Sequence, residues 1–367
     1  MTVIFVSLLL WVMARRWLHP RQVENPAKFF VAMTSGRRHI WYPRQKTFLD
    51  FQVDVVHIGI WRLLSILFII FWAGGDALAA STPPVPAREA GYKVNTLSST
   101  SATAFSGWFP WGFFSGHAAA DRIKINADHS LTLLGDVTGP NGEIATAQPD
   151  KNPQGFRGIA FGGGAYIEAV LKFNPDDVFA QGKKGWPSFW AMSLEHLIGR
   201  GDQWPNRQLG YHHFVEADFF EYDTATTGDR NNYGVNLHDW YGLYNVSCAP
   251  SSAFCDFHPP HRQLRVAVPE TVDFTRYHTY GFLWVPATAG HQGYARYYFD
   301  GMAVGPTVTW DRLGDQEGKP DNQAWAFGVL DTQHLVVILG TGVNEPMDVQ
   351  SVNVWQKSDA ENLVSGE

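Results

Sequence analysis

Three carboxylic acids stand close together in one apolar segment of this 367-residue chain. They are Glu216, Asp218 and Glu221, and all remaining residues of the segment 214–222 are aromatic or aliphatic. Burying a carboxylate without a partner is very costly, so a core strand has no structural use for three of them. The pattern therefore indicates acid–base chemistry.

The spacing of the three acids predicts a bulged strand. Side chains alternate between the two faces of a strand, so Glu216 and Asp218 share one face. Glu221 follows Asp218 by three residues and would point to the other side in a regular strand. One extra residue at Phe219 or Phe220, a β-bulge, returns Glu221 to the acidic face. An amphipathic helix with Asp218 and Glu221 on an exposed face is the alternative, but the aromatic neighbours favour a strand.

Hydrolysis of a glycosidic bond requires this kind of arrangement. Two carboxyl groups flank the scissile bond, one as nucleophile or base and one as proton donor, roughly 5–5.5 Å apart in retaining enzymes. A third acid between them separates their pKa values, because like charges held close cannot all ionise easily.

Further motifs surround the acids in a fixed order. Five segments around the string E-x-D-x-x-E are similar to known motifs. Residues 165–172 are similar to G-x-x-E-A-x-x-K, with Ala165 replacing the glycine, and residues 186–190 to W-P-A-F-W. Residues 277–284 are similar to F-H-T-Y-x-x-x-W, residues 297–301 to Y-x-V-D-G and residues 346–356 to P-M-x-V-D-Y-V-R-V-Y-Q. In these motifs the chain resembles glycoside hydrolase family 16, the group of β-glucanases, agarases and carrageenases. The resemblance spans about residues 105–357.

The resemblance implies a fold and a set of roles. The fold is all-β, a concanavalin A-like β-sandwich (jelly roll) of two antiparallel sheets with a concave substrate cleft. Glu216 is then the nucleophile, Glu221 the general acid/base, and Asp218 a helper that tunes the nucleophile. His238 stands where the family often has a strand beside the catalytic one. It contacts the acids or a sugar, or else is a hydrogen-bonded core or surface histidine.

Aromatic residues make up 14% of the chain and include 15 tryptophans. Flat rings commonly stack on the apolar faces of sugars. Trp186, Trp190 and Trp204, just before the catalytic strand, are the candidate substrate platforms, with core packing as the alternative for each.

The organisation expected along the chain has four parts. Residues 1–80 form an N-terminal segment, 81–104 a flexible lead, 105–357 the catalytic domain and 358–367 a tail. Residues 63–72 are an apolar run followed by small residues typical of a signal-peptide cleavage site, which indicates export. The basic stretch before this run indicates a start codon assigned too early. An uncleaved anchor is the alternative, although the run is shorter than the ~20 residues that span a bilayer.

The two cysteines, Cys248 and Cys255, are close enough to close a small disulfide loop in an exported protein; two free thiols are the alternative. His258 and His261 follow them, but not with a standard zinc spacing, and no metal is predicted. Gln350 replaces the aspartate that the resemblance associates with a structural calcium, which argues against calcium. The formal net charge of −7 argues against a nucleic-acid partner.

The function that these features predict is that of an exported endo-glycosidase, secreted or periplasmic, that hydrolyses internal β-glycosidic bonds with retention of configuration and needs no cofactor. Its partner would be a polysaccharide, a β-1,3 or mixed-linkage glucan by default and a galactan next. A transglycosylase shares all steps but the final acceptor. A non-catalytic carbohydrate-binding protein on the same sandwich, and an envelope protein whose sandwich mediates contacts, remain alternatives. A membrane contact is expected only through an uncleaved, anchoring N-terminal segment.

Overall fold

The structure is a computed structural model that describes residues 82–99, 105–113, 116–117, 120–134, 142–150, 155–179, 185–199, 202–203, 209–222, 230–243, 264–312, 324–340 and 347–365. The predictions for the N-terminal segment, Trp204, Cys248 and Cys255 lie outside the described residues. Among those that are described, no helix has the length and apolar character needed to cross a membrane.

The described chain is built mainly from short strands. In chain order they are β1 (Val94–Ser98), β2 (Trp111–Gly112), β3 (Gly116–His117), β4 (Ile123–Ile125), β5 (Leu131–Leu133), β6 (Ile144–Ala145), β7 (Ala147–Pro149), β8 (Phe156–Ala160), β9 (Ala165–Phe173), β10 (Ser188–Ser193), β11 (Tyr211–Glu221), β12 (Asn232–Leu243), β13 (Leu264–Ala267), β14 (His278–Val285), β15 (Gly293–Phe299), β16 (Met302–Trp310), β17 (Leu335–Leu339), β18 (Met347–Gln356) and β19 (Leu363–Val364).

Helices are few and short. The described ones are α1 (Val85–Glu89), α2 (Pro175–Phe179) and α3 (Leu194–Leu197), with 3-10 turns at Ala120–Arg122 and Ala324–Thr332. None is long enough to be stable alone, since isolated helices below about 12 residues are marginal in water.

Two antiparallel sheets carry the fold. The back sheet has the order β16-β15-β14-β9-β18-β5-β4, with β1 also paired to β18, and the front sheet has the order β13-β12-β11-β10-β17-β6. Five of the motif segments became strands β9, β10, β14, β15 and β18. The prediction of an all-β fold of two antiparallel sheets is confirmed.

The main core lies between the two sheets. The Phe219 ring of the front sheet stacks on the Phe282 ring of the back sheet, with centroids 4.5 Å apart. The Tyr297 hydroxyl donates to the Asn236 carbonyl, 2.9 Å away on the facing sheet. Each large side chain buried in this layer stabilises the fold by about 1.5–3 kcal/mol. The core therefore holds the front sheet rigidly against the back sheet.

The front sheet is also covered on part of its outer face. Residues of β10, β11 and β17 that point away from the main core pack in a second apolar cluster with Trp111 and, at its margin, Phe113. All six residues of β10 are consequently buried. The acids of β11 occupy the same outer face, beside this cluster.

The bulge predicted in β11 is present. Asp218 pairs with Asn236 and Glu221 with Gly234, so three steps along β11 match two along β12. On the other side, Asp218 pairs with Trp190 and Phe220 with Phe189, which leaves Phe219 without a partner in either neighbouring strand. The strand interpretation of the acidic segment is confirmed, and its helical alternative is wrong.

The two phenylalanines of the bulge bury their rings in the core, where Phe219 is 1% exposed. We expect Phe219→Ala to lower the free energy of unfolding by about 3–5 kcal/mol, because it leaves a cavity between the sheets. Urea unfolding followed by tryptophan fluorescence measures this change. Leu209→Ala, at a side chain that is 94% exposed, should change it by less than about 0.5 kcal/mol; an equal effect of both substitutions would contradict the packing described.

Candidate active site

The bulge brings all three acids to the outer face of the front sheet. Glu216 and Asp218 are buried, at 8% and 1% exposure, and Glu221 is partly exposed. Asp218 lies between the two glutamates along β11, and its charge raises the pKa of both of them. The three groups therefore form one connected acidic site.

Strand β12 supplies a contact to each acid. The Trp240 indole N–H donates to Glu216 Oε2 over 2.8 Å, and the Asn236 amide donates to Glu221 Oε2 over 2.7 Å. Between them, His238 Nε2 lies 3.0 Å from Asp218 Oδ2.

Each of these contacts is diagonal across the ladder. Glu216 is paired in register with His238, and Asp218 with Asn236, yet each acid reaches the β12 side chain two residues beyond its paired position. Three alternate residues of β12 thus each contact one acid of β11. The contacts have the diagonal spacing that long side chains can span.

Of the predicted sugar platforms, Trp186 lies beside the acids. Its indole N–H donates to Glu221 Oε1 over 3.0 Å, and the side chain is partly exposed. A ring in this position can both orient the acid and present a face to a ligand.

The predicted platform at Trp190 is different. Its side chain is 2% exposed and belongs to the apolar cluster on the outer face. The indole N–H donates to the Gly340 carbonyl over 3.0 Å, and the Phe113 ring packs on it edge to face. Trp190 therefore packs as a core residue and offers no open stacking face, because the segment around β2 covers it.

Burial sets the protonation of Glu221. Burial and, after it, the nearby charge of Asp218 together raise the pKa of this carboxyl to about 8. The hydrogen bonds from Trp186 and Asn236 act in the opposite direction but are weaker. Glu221 is therefore largely protonated at neutral pH, the state required of a proton donor.

Glu216 and Asp218 behave as a pair. Burial, followed by the charge of Asp218, raises the pKa of Glu216 well above its ordinary value, and burial raises the pKa of Asp218 to about 7. Like charges held this close cannot both ionise easily, so these shifts favour a state in which the pair carries a proton at neutral pH.

The same residues have the donor types of a metal site. Ligand atoms of Glu216, Asp218 and His238 all lie within 4.8 Å of one another. The absence of a metal from the function stays a prediction.

Contacts on the inner face and at the edge of β11 support the strand that carries the acids. His213, on the inner face of β11, contacts Asp239 of β12 through Nε2 and Oδ1, and both side chains are buried. Strand β10 pairs with β11 only from Glu216 onward. Just before that point the Gln333 amide takes the place of a strand, since it donates to the His213 carbonyl and accepts from the Val215 N–H. The backbone that leads into Glu216 is thus clamped on both edges.

The sequence matches no protein-family model, and no curated protein matches it. Several solved structures are similar in fold. The endo-1,3-β-glucanase of Streptomyces sioyaensis is 18% identical, with 77% of this chain and 99% of that chain covered and a TM-score of 0.43. The exoplasmic/lumenal domain of VIP36, bound to Ca²⁺ and Man3GlcNAc, is 13% identical, with 74% and 90% covered and a TM-score of 0.33. The basic winged bean lectin with Tn-antigen is 11% identical, with 70% and 97% covered and a TM-score of 0.30. These likenesses concern the general fold and say nothing about the three acids.

Sequence reasoning selected His238 on β12 and missed its two neighbours on the same face. Asn236 and Trp240 alternate with His238, and that period of two was the available signal. Gln333 gave no signal, because it is more than a hundred residues from β11 in sequence.

The raised pKa of Glu221 makes the protein less stable at high pH. An acid whose pKa rises on folding contributes stability that is complete below its unfolded pKa and lost as the pH rises through its folded pKa. For Glu221 this interval runs from 4.5 to about 8. Between pH 5 and pH 8, the free energy of unfolding of Glu221→Gln should therefore fall by about 2–4 kcal/mol less than that of the unsubstituted chain.

Urea unfolding at both pH values measures this loss. The matched control is Glu361→Gln, at an exposed position, which should leave the difference between the two pH values as it is in the unsubstituted chain. An unchanged difference in Glu221→Gln would show that Glu221 is not the buried, protonated group.

Proposed function

We propose that this protein is a retaining endo-glycosidase that hydrolyses internal β-glycosidic bonds of a polysaccharide. The observation that carries the proposal is the set of three acids on one face, with a protonated Glu221 at one end and a hydrogen-bonded Glu216 at the other. Asp218 bridges them. Retaining glycosidases need this combination of one proton donor and one nucleophilic carboxylate.

In the first step Glu221 gives its proton to the glycosidic oxygen while Glu216 attacks the anomeric carbon. The bond from that carbon to the leaving oxygen breaks, a glycosyl ester forms on Glu216, and the leaving sugar departs as an alcohol. The indole N–H of Trp240 aims Glu216 Oε2 and stabilises its charge before attack. Attack requires Glu216 to be ionised, so in this step the proton of the pair must lie on Asp218.

In the second step the roles of Glu221 reverse. As a carboxylate it takes a proton from water, whose oxygen attacks the anomeric carbon and releases Glu216. Loss of its proton in the first step leaves Glu221 negatively charged in a buried site. The amide of Asn236 and the indole of Trp186 donate hydrogen bonds to that charge. These donors keep its high pKa within reach of neutral pH.

The substrate class follows from the sequence resemblance, with a β-1,3 or mixed-linkage glucan first and a galactan second. Trp186, beside Glu221, is the described aromatic residue placed to contact a sugar. Export by the predicted signal segment would bring the protein to such polymers. Transglycosylation differs only in that a sugar hydroxyl replaces water in the second step.

A carbohydrate-binding protein without catalysis is the competing function. The buried acids favour the enzyme, because a binding site gains nothing from a carboxyl that burial keeps protonated at neutral pH. The experiment is reducing-sugar release from a panel of β-glucans, agar and carrageenan. Binding to one polymer without release of sugar would support the competing function and overturn the proposal.

Replacement of either outer acid should abolish hydrolysis. We expect Glu216→Gln and Glu221→Gln each to lower kcat/KM by about a thousandfold or more on the polymer that the intact protein degrades. Glu270→Gln, at an exposed position, should leave the rate unchanged. Activity that survives both active-site substitutions would refute the mechanism.

A small-molecule substrate separates the two roles. With a leaving group that needs no proton, Glu221→Ala should form the glycosyl ester quickly and hydrolyse it slowly. Added azide should then restore its turnover and yield a glycosyl azide of retained configuration. In Glu216→Ala the azide product should instead have inverted configuration, since azide replaces the missing nucleophile.

Trp240 should act on the chemical step through Glu216. Trp240→Phe keeps a ring but removes the N–H donor to a charged acceptor, a change worth about 1.5–3 kcal/mol. We expect kcat to fall about tenfold to a hundredfold while KM changes little. A rise in KM at constant kcat, measured on the same polymer, would instead make Trp240 a sugar contact.

A further inference from the structure

A second group of potential ligands lies on the front sheet away from the acids. It consists of His196, Asp202 and His212 and is called the His–Asp–His cluster below. The Nδ1 atoms of His196 and His212 each lie 2.8 Å from the same oxygen, Asp202 Oδ2. One ligand atom from each of the three residues can thus reach a common centre.

The three residues come from three separate segments. His196 is in α3, whose N-terminus is capped by Ser193, and His212 is in β11. Asp202 lies between them in sequence, and its carbonyl accepts from the His213 N–H over 2.6 Å. The next residue, Gln203, forms an isolated bridge to His212. The backbone therefore places Asp202 beside β11 independently of its side chain.

Packing fixes the orientation of the first imidazole. The His196 ring stacks on Phe214, with centroids 3.5 Å apart and planes 10° apart. Phe113 approaches the same ring, with centroids 5.6 Å apart. A ring held in this way keeps Nδ1 directed at the centre of the cluster, which lowers the entropy cost of ligand binding.

The charge of Asp202 calls for a cation. The carboxylate is 3% exposed, and its ion pairs among the described residues are with the two histidines alone. With neutral imidazoles, the cluster carries a buried negative charge.

We propose that the His–Asp–His cluster binds one divalent transition-metal ion of the zinc type. Two imidazole nitrogens and one carboxylate oxygen suit zinc, whereas calcium and magnesium prefer oxygen ligands throughout. Zinc takes such ligands at about 2.0–2.2 Å in a tetrahedron and accepts water in a fourth position. The tetrahedron requires the present 2.8 Å contacts to widen by about half an ångström, which small side-chain rotations provide.

The ion would join two parts of the chain beside the acids. His212, Phe214 and Glu216 alternate along β11 and share the outer face, so the cluster is about 13 Å from Glu216 along the strand. A metal there ties the segment that holds Asp202 to the strand that carries the acids. This site stands independently of the glycosidase proposal, because none of its ligands takes part in that chemistry.

Zinc binding by the full-length chain tests the proposal. The protein, purified on a tag without histidine and stripped with a chelator, is titrated with zinc chloride by calorimetry, and the bound metal is counted after gel filtration. We expect about one zinc per chain at this cluster. We also expect Tm to rise by about 5 °C or more when zinc is present at a hundred times its Kd.

The variants assign the zinc to its ligands. Asp202→Asn, His196→Gln and His212→Gln should each lose the bound zinc and the rise in Tm. His278→Gln, which breaks a comparable pair with Asp300, should keep both. If Asp202→Asn does not fold, the two histidine variants decide, since each leaves the carboxylate in place.

Two further variants address the other candidate ligands. Zinc that persists in the three cluster variants but is lost in Glu216→Gln belongs to the acid site, and zinc lost in the Cys248→Ser/Cys255→Ser double variant belongs to the cysteines. Either result overturns the proposal, as does an intact chain that binds no zinc. In that last case the cluster is a hydrogen-bond network with both Nδ1 atoms protonated.

Cobalt substitution gives an independent readout, because a tetrahedral site with these ligands produces visible absorption bands that a hydrogen-bond network does not.

Discussion

Three carboxyl groups held side by side in a buried site cannot all be ionised, and the rest of the active-site structure follows from that electrostatic constraint. Burial raises the pKa of each acid, and the central Asp218 adds its charge to the effect on both glutamates. The strand beside them offers donors rather than further acceptors, which limits the rise. The balance leaves a site in which some carboxyl groups carry a proton at neutral pH while another is ionised. A protonated and an ionised carboxyl group can then coexist within one strand.

The bulge is the geometric means by which the chain satisfies this constraint. A regular ladder would send Glu221 into the apolar core, where it would have no donors and would destabilise the fold. By leaving Phe219 unpaired on both sides, β11 directs two consecutive aromatic rings inward and all three acids outward. The rings compensate for the disrupted ladder, since Phe219 packs against the facing sheet. The local defect in pairing is therefore also one of the best-packed points of the core.

Much of this arrangement was accessible from the sequence, because alternation and spacing are properties of neighbouring residues. The strand that carries the acids and its bulge follow from such local patterns, and the two-sheet class was implied by the family resemblance of the motifs. What could not be predicted depends on contacts between distant segments. Alternation assigns Asn236 and Trp240 to a face, but only the register between β11 and β12 tells which acid each one meets. Gln333 replaces a missing strand with its side-chain amide, and sequence patterns contain no sign of such a substitution. Trp190 resembled a sugar platform because the covering of its outer face by the β2 region is a tertiary feature.

The diagonal contacts of β12 also affect how such a site can diverge. Three alternate residues of β12 each contact one of the acids Glu216, Asp218 and Glu221 and so affect its pKa. The acids themselves lie on β11. Substitution on β12 can therefore shift the pKa values of the acids in small steps and leave the acids themselves in place. Because the intervening Leu237 packs in the core and Asp239 contacts His213 on the inner face, such changes need not disturb packing. One scaffold can thus carry acid sites that differ in protonation at the same pH through substitutions at three positions.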